Sequence, residues 1–353
     1  MQGQRFSFRR AASSLTQSLA VGAFVAAGLN VAGAVSGGAA AQDTAPEMVA
    51  SDAPDTIESI LTTLDGATAS APSATQGADP LRNDAPAMWR LADADTEIYL
   101  FGTFHILPPG VNWRTETYDA AMTASAITMV EADLSAPNKD QHMLELLSEY
   151  GYNPAGVTLT DTIGVLRAQR LKEVAARFGM QGDLLEAQRP WLALVTLSAL
   201  ALKEAGFDEL NGVETLVLQR ATMEGDSFDY FETLEDQIVT LASLGDEDML
   251  ANFDATMAQF DDFQVYTQIM LDAWRTGDLE ALDTSVLGEL RRDSPKAFDA
   301  LIVSRNRKWM TRVIDLMEGD GSYFIAVGAG HLVGEDSLVD LLVERGYAVD
   351  RIQ

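Results

Sequence analysis

Cysteine is absent from the 353 residues. That excludes disulfides, thiolate nucleophiles and thiolate zinc sites. Histidine is nearly as scarce, since His105, His142 and His331 are the whole supply. Any imidazole chemistry must use them. Positive charge is also thin: 24 Lys and Arg face 53 Asp and Glu, for a formal net charge of −29. A polyphosphate is repelled by such a field, so no nucleic acid is expected as a partner. An anionic membrane surface is disfavoured for the same reason. No His-Glu-x-x-His pair occurs, which removes the helix-borne zinc signature.

Long apolar runs are missing too. The longest candidate, residues 19–35, is broken by Gly and Asn and falls short of the roughly 20 strongly apolar residues of a membrane span. Its setting reads as a signal peptide: a basic stretch with Arg5, Arg9 and Arg10, the apolar run, then Ala39-Ala40-Ala41 as a small-residue cleavage site. Residues 1–41 are therefore expected to be removed on export, leaving a periplasmic or secreted protein with no stable transmembrane anchor. Residues 42–87, rich in Ala, Ser, Thr, Asp and Pro, read as a flexible linker interrupted by one short amphipathic piece at 57–64.

From residue 88 the texture is that of a folded domain reaching 353. Met88-Trp89-Arg90-Leu91, a polar turn and then 97–101 predict a β-hairpin. Short apolar runs at 126–130, 227–231 and 322–327 predict further strands, with 347–352 closing the sheet. Most of 138–318 carries helical spacing instead, as in Leu166, Leu171 and Val174, in 191–202, and from Leu216 onward. The expected class is α/β with α+β character: a small mixed sheet formed by segments near both ends of the domain, carrying a large helical insertion.

Two segments match each other. Ile98-Tyr99-Leu100-Phe101-Gly102-Thr103-Phe104-His105-Ile106-Leu107 and Phe324-Ile325-Ala326-Val327-Gly328-Ala329-Gly330-His331-Leu332-Val333 both read as four apolar residues, Gly-x-x-His, and two more apolar residues. Continuous apolar runs suit strands buried on both faces. Gly102 and Gly328 are expected to turn the chain sharply at the strand ends. Each histidine then lies beyond a strand's carboxyl end, where open α/β sheets bind ligands. The blander reading of each imidazole is a turn cap. His142, in a polar helical stretch, reads as a surface residue.

Two charged residues also stand out. The stripe Phe298, Ile302, Arg305, Trp309, Val313, Leu316 follows a helix face, with Arg305 in its middle. A guanidinium facing a core is costly unless a carboxylate meets it. Arg305 is thus either a buried ion pair or an anion-recognition group. Glu131 closes the run 126–130 at the same kind of strand end as the histidines. Asp133, two residues on, shares its face if the strand continues. Glu214 and Glu232 are secondary candidates in a chain full of acids.

Together, Leu100-Phe101-Gly102-Thr103-Phe104-His105, Val130-Glu131-Ala132-Asp133, Gly212-Val213-Glu214, Phe231-Glu232-Thr233-Leu234-Glu235-Asp236-Gln237, Trp274-Arg275-Thr276-Gly277-Asp278, Arg305-Asn306-Arg307-Lys308-Trp309 and Val327-Gly328-Ala329-Gly330-His331-Leu332-Val333-Gly334 resemble the TraB/PrgY/GumN family. One departure is Phe231-Glu232-Thr233, where the usual triplet is Leu-Glu-Thr. The family is marked by two Gly-x-x-His motifs with an accompanying Glu and Arg. Its animal relatives, the Tiki proteins, act as metal-dependent proteases, and it is similar to a wider group holding erythromycin esterase and the haem-binding ChaN. The resemblance implies a site with His105, His331, Glu131 and Arg305.

Two imidazoles and one carboxylate suit a divalent transition metal such as manganese, cobalt or zinc, with His105, His331 and Glu131 as ligands. Arg305 would then meet a substrate carboxylate or an oxyanion. The leading expectation is metal-dependent hydrolysis of a peptide or small-molecule ester. The alternatives are a binding protein for metal, haem or another small ligand, and an accessory regulator of signalling peptides or polysaccharide export.

Overall fold

The apolar runs become strands because their residues alternate between two covered faces. In a computed structural model, which describes residues 85–133, 138–246, 250 and 253–353, β1 (Met88–Ala92) and β2 (Thr96–Thr103) form the expected hairpin. β3 (Ile127–Ala132), β4 (Ser227–Glu232), β5 (Gly321–Gly328) and the short β6 (Asp350–Arg351) complete a six-stranded sheet in the order β4-β3-β5-β2-β1-β6. The segments expected as signal peptide, and all but the last three residues of the linker, lie outside the described residues.

β4, β3, β5 and β2 run parallel, while β1 and β6 are antiparallel additions at one edge. Parallel strands need covered faces on both sides, and β3, β5 and β2 have them, while the edge strand β4 is half-buried. Ile98, Leu100, Met129, Ile325 and Val327 pack with Trp309, Val313, Leu338 and Leu342 on one face. Phe101, Val130, Phe324 and Ala326 turn to the other, into the much larger core of the helical insertion. Each large apolar side chain so buried contributes roughly 1.5–3 kcal/mol. Helix Pro190–Glu204 runs through that insertion with buried residues on every side. Helix Val165–Arg177 buries Leu171 and Val174, but Leu166 lies at its amino-terminal end, 84% exposed. Leu166 therefore does not belong to the stripe assigned to it from spacing. Among the described residues no helix is long and apolar enough to cross a membrane.

What matters for the site is register. β2 and β5 are immediate parallel neighbours, with Gly102 opposite Val327 and Thr103 opposite Gly328. The two Gly-x-x-His turns thus leave the same sheet edge, offset by one residue. β3 flanks β5 and carries Glu131 at that edge, and β4 follows with Glu232 beside Ala132. Four parallel strands point four candidate side chains the same way.

Candidate metal centre

The two glycines act through size. Neither Gly102 nor Gly328 has a positive φ, so the sharp-turn reading is corrected. A Cβ on Gly102 would lie 3.2 Å from both Cα and Cβ of Ala329; the small residue lets the second turn lie against the first. Gly328, at φ −51°, presents its N–H to Glu131 Oε1 at 2.7 Å. Gly330 is buried in the short 3₁₀ turn Ala329–His331.

His105 is held from several directions. Trp274 Nε1 donates to the Gly102 carbonyl at 2.8 Å. Val213 N donates to the Phe104 carbonyl at 2.9 Å, which brings the amino terminus of helix Val213–Glu224 against the turn. Gly212 must be glycine there, since a Cβ would sit 1.8 Å from the His105 carbonyl oxygen. Glu214, in the first turn of that helix where a carboxylate is favoured, comes within 2.6 Å of His105 Nδ1. The approach is close without the alignment of a hydrogen bond. Both His105 ring nitrogens and Glu214 Oε1 are buried without a hydrogen-bond partner.

Arg305 answers the question its sequence position raised. It is 3% exposed, on helix Ser304–Met317. Its Nε donates to Glu232 at 3.0 Å, and its Nη2 donates to Glu131 Oε2 at 2.7 Å and lies 3.0 Å from Glu232 Oε2. Its Nη1 meets the Leu301 carbonyl at 3.3 Å and His331 Nε2 at 3.1 Å. A guanidinium has five N–H donors, and this set engages all of them. Arg305 is a buried ion-pair hub, with no donor left over for a substrate anion. Burial disfavours its charge, yet Glu131 and then Glu232 outweigh that and raise its pKa. Trp309 forms the floor: its ring lies 4.7 Å below the guanidinium carbon and 4.4 Å from the His331 ring, and its Nε1 donates to Glu232 at 2.9 Å.

The expected ligand trio changes in one member. His105, Glu131 and Glu214 offer one ligand atom each, all within 4.8 Å of one another. His331 is 3.9 Å from Glu131 Oε1, but its Nδ1 meets Asn306 Oδ1 at 2.7 Å and its Nε2 meets Arg305. Asp133 lies beyond the end of β3 at Ala132, half-buried, so the shared strand face expected for it does not form. His142, on helix Lys139–Tyr150, has 44% of its side chain exposed. Sequence reasoning gave no role to Asn306, Gly212 or Trp274, nor to Gln237, which donates to Glu131 Oε2 at 3.4 Å. Trp309 entered only as an apolar stripe residue.

Charge favours a cation here. Glu131 and Glu214 are buried and the Glu232 side chain is 8% exposed, and the guanidinium of Arg305 pairs with two of the three. Buried charge of one sign without a partner is strongly unfavourable. Burial pulls the His105 pKa down, but Glu214 and then Glu131 reverse this and raise it. A proton on His105 would relieve the excess, and so would a metal ion. Oxygen and imidazole donors suit a first-row divalent ion, and the unpartnered atoms of His105 and Glu214 supply them. The residues fit such an ion.

A mixed sheet whose parallel strands gather imidazole and carboxylate donors at their carboxyl edge defines an α/β protein with a candidate metal centre. Residues 87–351 match the model of the TraB/PrgY/gumN family, and the chain belongs to that family. It is 24% identical over 264 residues to the uncharacterized protein YbaP of Escherichia coli (strain K12), covering 73% of this chain and 92% of that protein. It is 24% identical over 308 residues to Metalloprotease TIKI1 of Xenopus tropicalis, covering 72% of this chain and 59% of the relative. A 52-residue stretch is 42% identical to Metalloprotease TIKI2 of the same species, 14% of this chain and 10% of that one. No solved structure matches.

Proposed function

We propose that this chain is an exported, metal-dependent hydrolase of the peptidase type, with His105, Glu131 and Glu214 holding a divalent transition metal. One observation carries the reading: His105, Glu131 and Glu214, all buried, each offer a ligand atom within 4.8 Å of the others, and His105 and Glu214 have buried atoms without a hydrogen-bond partner. The name metalloprotease borne by the TIKI relatives supports the reaction class, and the leader-like residues 1–41 support export. A bound metal of this kind supplies Lewis acidity, polarising a carbonyl and making water acidic enough to attack it.

The chain's own part is positioning. Gly328 N and Arg305 fix both oxygens of Glu131. Helix Val213–Glu224 fixes Glu214 against His105. Arg305 pairs with both Glu131 and Glu232 and offsets one of their two charges. The test is metal analysis of purified protein, before and after loading with manganese, cobalt or zinc, joined to cleavage of a peptide library. Wild type is expected to bind one metal and cleave; His105→Ala and Glu214→Gln are expected to do neither. Protein that takes up no metal under any loading sinks the proposal.

A second reading is a metal-binding protein without turnover, favoured by the burial of every donor: His105, Glu131 and Glu214 are each no more than 4% exposed. Stoichiometric metal with no cleavage of any library member would support it over hydrolysis.

A further inference from the structure

The two turns look alike in sequence, but hydrogen-bond logic separates their histidines. Asn306 follows Arg305 on the same helix and is fully buried. Its Nδ2 lies 2.8 Å from the Asp336 carbonyl and 3.3 Å from the His331 carbonyl. Both neighbours are acceptors, so this atom must be the amide nitrogen and the other terminal atom the oxygen. That oxygen lies 2.7 Å from His331 Nδ1. An amide oxygen only accepts, so Nδ1 carries a hydrogen. At the other side of the ring, Nε2 faces Arg305 Nη1 at 3.1 Å. A guanidinium only donates, so Nε2 presents its lone pair. The ring is a neutral Nδ1–H tautomer with neither nitrogen left for a metal.

We propose that Asn306 is a positioning residue that fixes the tautomer of His331, so that the second Gly-x-x-His turn aims Arg305 at Glu131 instead of supplying a metal ligand. The chain of contacts runs Asn306 to His331, His331 to Arg305, and Arg305 to Glu131. The Asn306 oxygen sets the proton on His331 Nδ1, the bare Nε2 accepts from Arg305 Nη1, and the guanidinium so anchored donates through Nη2 to Glu131. With the proton moved to Nε2, His331 and Arg305 would face each other as two donors, and the guanidinium would lose one of its anchors. The ligand half of this inference rests on the metal-centre reading above; the tautomer half stands without it.

Nitrogen-15 NMR of the histidine rings decides the matter, and three histidines make the spectrum easy to assign with single substitutions. In metal-free wild type, His331 is expected as one tautomer, Nδ1 in the protonated range and Nε2 in the unprotonated range. A ring protonated at Nε2 overturns the proposal. Asn306→Leu removes the acceptor and is expected to populate the Nε2–H form; an unchanged ring in folded Asn306→Leu also overturns it. Asn306→Asp keeps an acceptor opposite Nδ1 and is expected to retain the wild-type tautomer, which covers the case in which the leucine variant does not fold. Zinc added to wild type is expected to shift the His105 ring nitrogens and leave those of His331 in place. Zinc bound at His331 Nε2 overturns the ligand half. Zinc that moves neither histidine sinks the proposed function and leaves the tautomer assignment standing.

Discussion

His105 and His331 follow neighbouring parallel strands in the same sequence setting, yet their surroundings are opposite. Both His105 ring nitrogens lack an aligned hydrogen-bond partner, and Nδ1 lies 2.6 Å from a Glu214 carboxylate oxygen. Both His331 nitrogens are matched, one by an amide oxygen and one by a guanidinium. The difference lies in what packs over each turn. Helix Val213–Glu224 brings an acid to the first, and helix Ser304–Met317 brings an arginine and an asparagine to the second. A repeated motif sets where a side chain emerges; the covering helix sets its chemistry.

The comparison breaks most visibly at Arg305. Arg305→Leu would leave Glu131 and Glu232 buried without their cation and His331 without its donor. Removing one partner of a buried pair costs about 3–5 kcal/mol, to be read as a loss of unfolding free energy in denaturant titration. A variant as stable as wild type would mean that the carboxylates reach water or another cation.

The acids of the first turn are expected to behave differently from one another. Glu214→Gln removes a negative charge that lacks a guanidinium partner. Above the raised His105 pKa, where the ring is neutral, the metal-free protein should melt no lower than wild type while metal uptake is lost. Glu131→Gln turns an amide toward Arg305 Nη2 and should lower stability by about 1–3 kcal/mol. Equal melting temperatures for the two variants would erase the distinction between them.

How much of this was legible beforehand differs by element. The strands were readable because 98–101 and 324–327 are continuous apolar runs, and a parallel strand buried on both faces needs just that. Arg305 was readable as an anomaly, a charge inside the stripe from Phe298 to Leu316, all of which is buried. Its role stayed open because the decisive partners, Glu131 and Glu232, lie 174 and 73 residues away in sequence. Glu214 carried little signal among 53 acids. Asn306 stood within a family-like stretch but without a role, since a neutral amide at one helix position acquires meaning only from the ring it meets. Gly102 was noticed for the wrong reason: its constraint is the approach of Ala329, and a close approach between distant segments leaves no periodicity to read.

A gentler probe is pH. The His105 pKa is raised from its ordinary value near 6.5. Protonated His105 therefore stabilises the metal-free fold fully below that value, and the contribution fades as pH climbs through the raised one. Metal binding has the opposite slope, because a ligand imidazole must be deprotonated. Below the raised pKa, affinity should weaken about tenfold for each pH unit of acidification. Calorimetry from below the ordinary imidazole pKa to above the raised one checks both slopes, and His331→Gln should leave the metal slope intact. A slope that disappears with His331 would return that ring to the ligand set.

The smallest expected effect tests how the site is joined to the fold. Glu232 ends β4, and Thr233 begins helix Leu234–Ser243, which carries Gln237 toward Glu131. Thr233 caps that helix reciprocally: its hydroxyl accepts from Asp236 N at 3.1 Å, and Asp236 accepts from Thr233 N at 2.9 Å. The Thr233 hydroxyl, then its backbone N–H, holds the Asp236 carboxyl below its ordinary pKa. The contribution of Asp236 is thus present above the ordinary carboxylate range and lost as pH falls through the depressed value. Thr233→Ala should cost about 1 kcal/mol, seen in denaturant titration at neutral pH, and the difference from wild type should shrink in acid. Because Arg305 and Trp309 grip Glu232 independently, metal affinity should stay within a factor of a few. A large loss of metal from this exposed cap would show that Glu232 depends on the helix that follows it as much as on the arginine it faces.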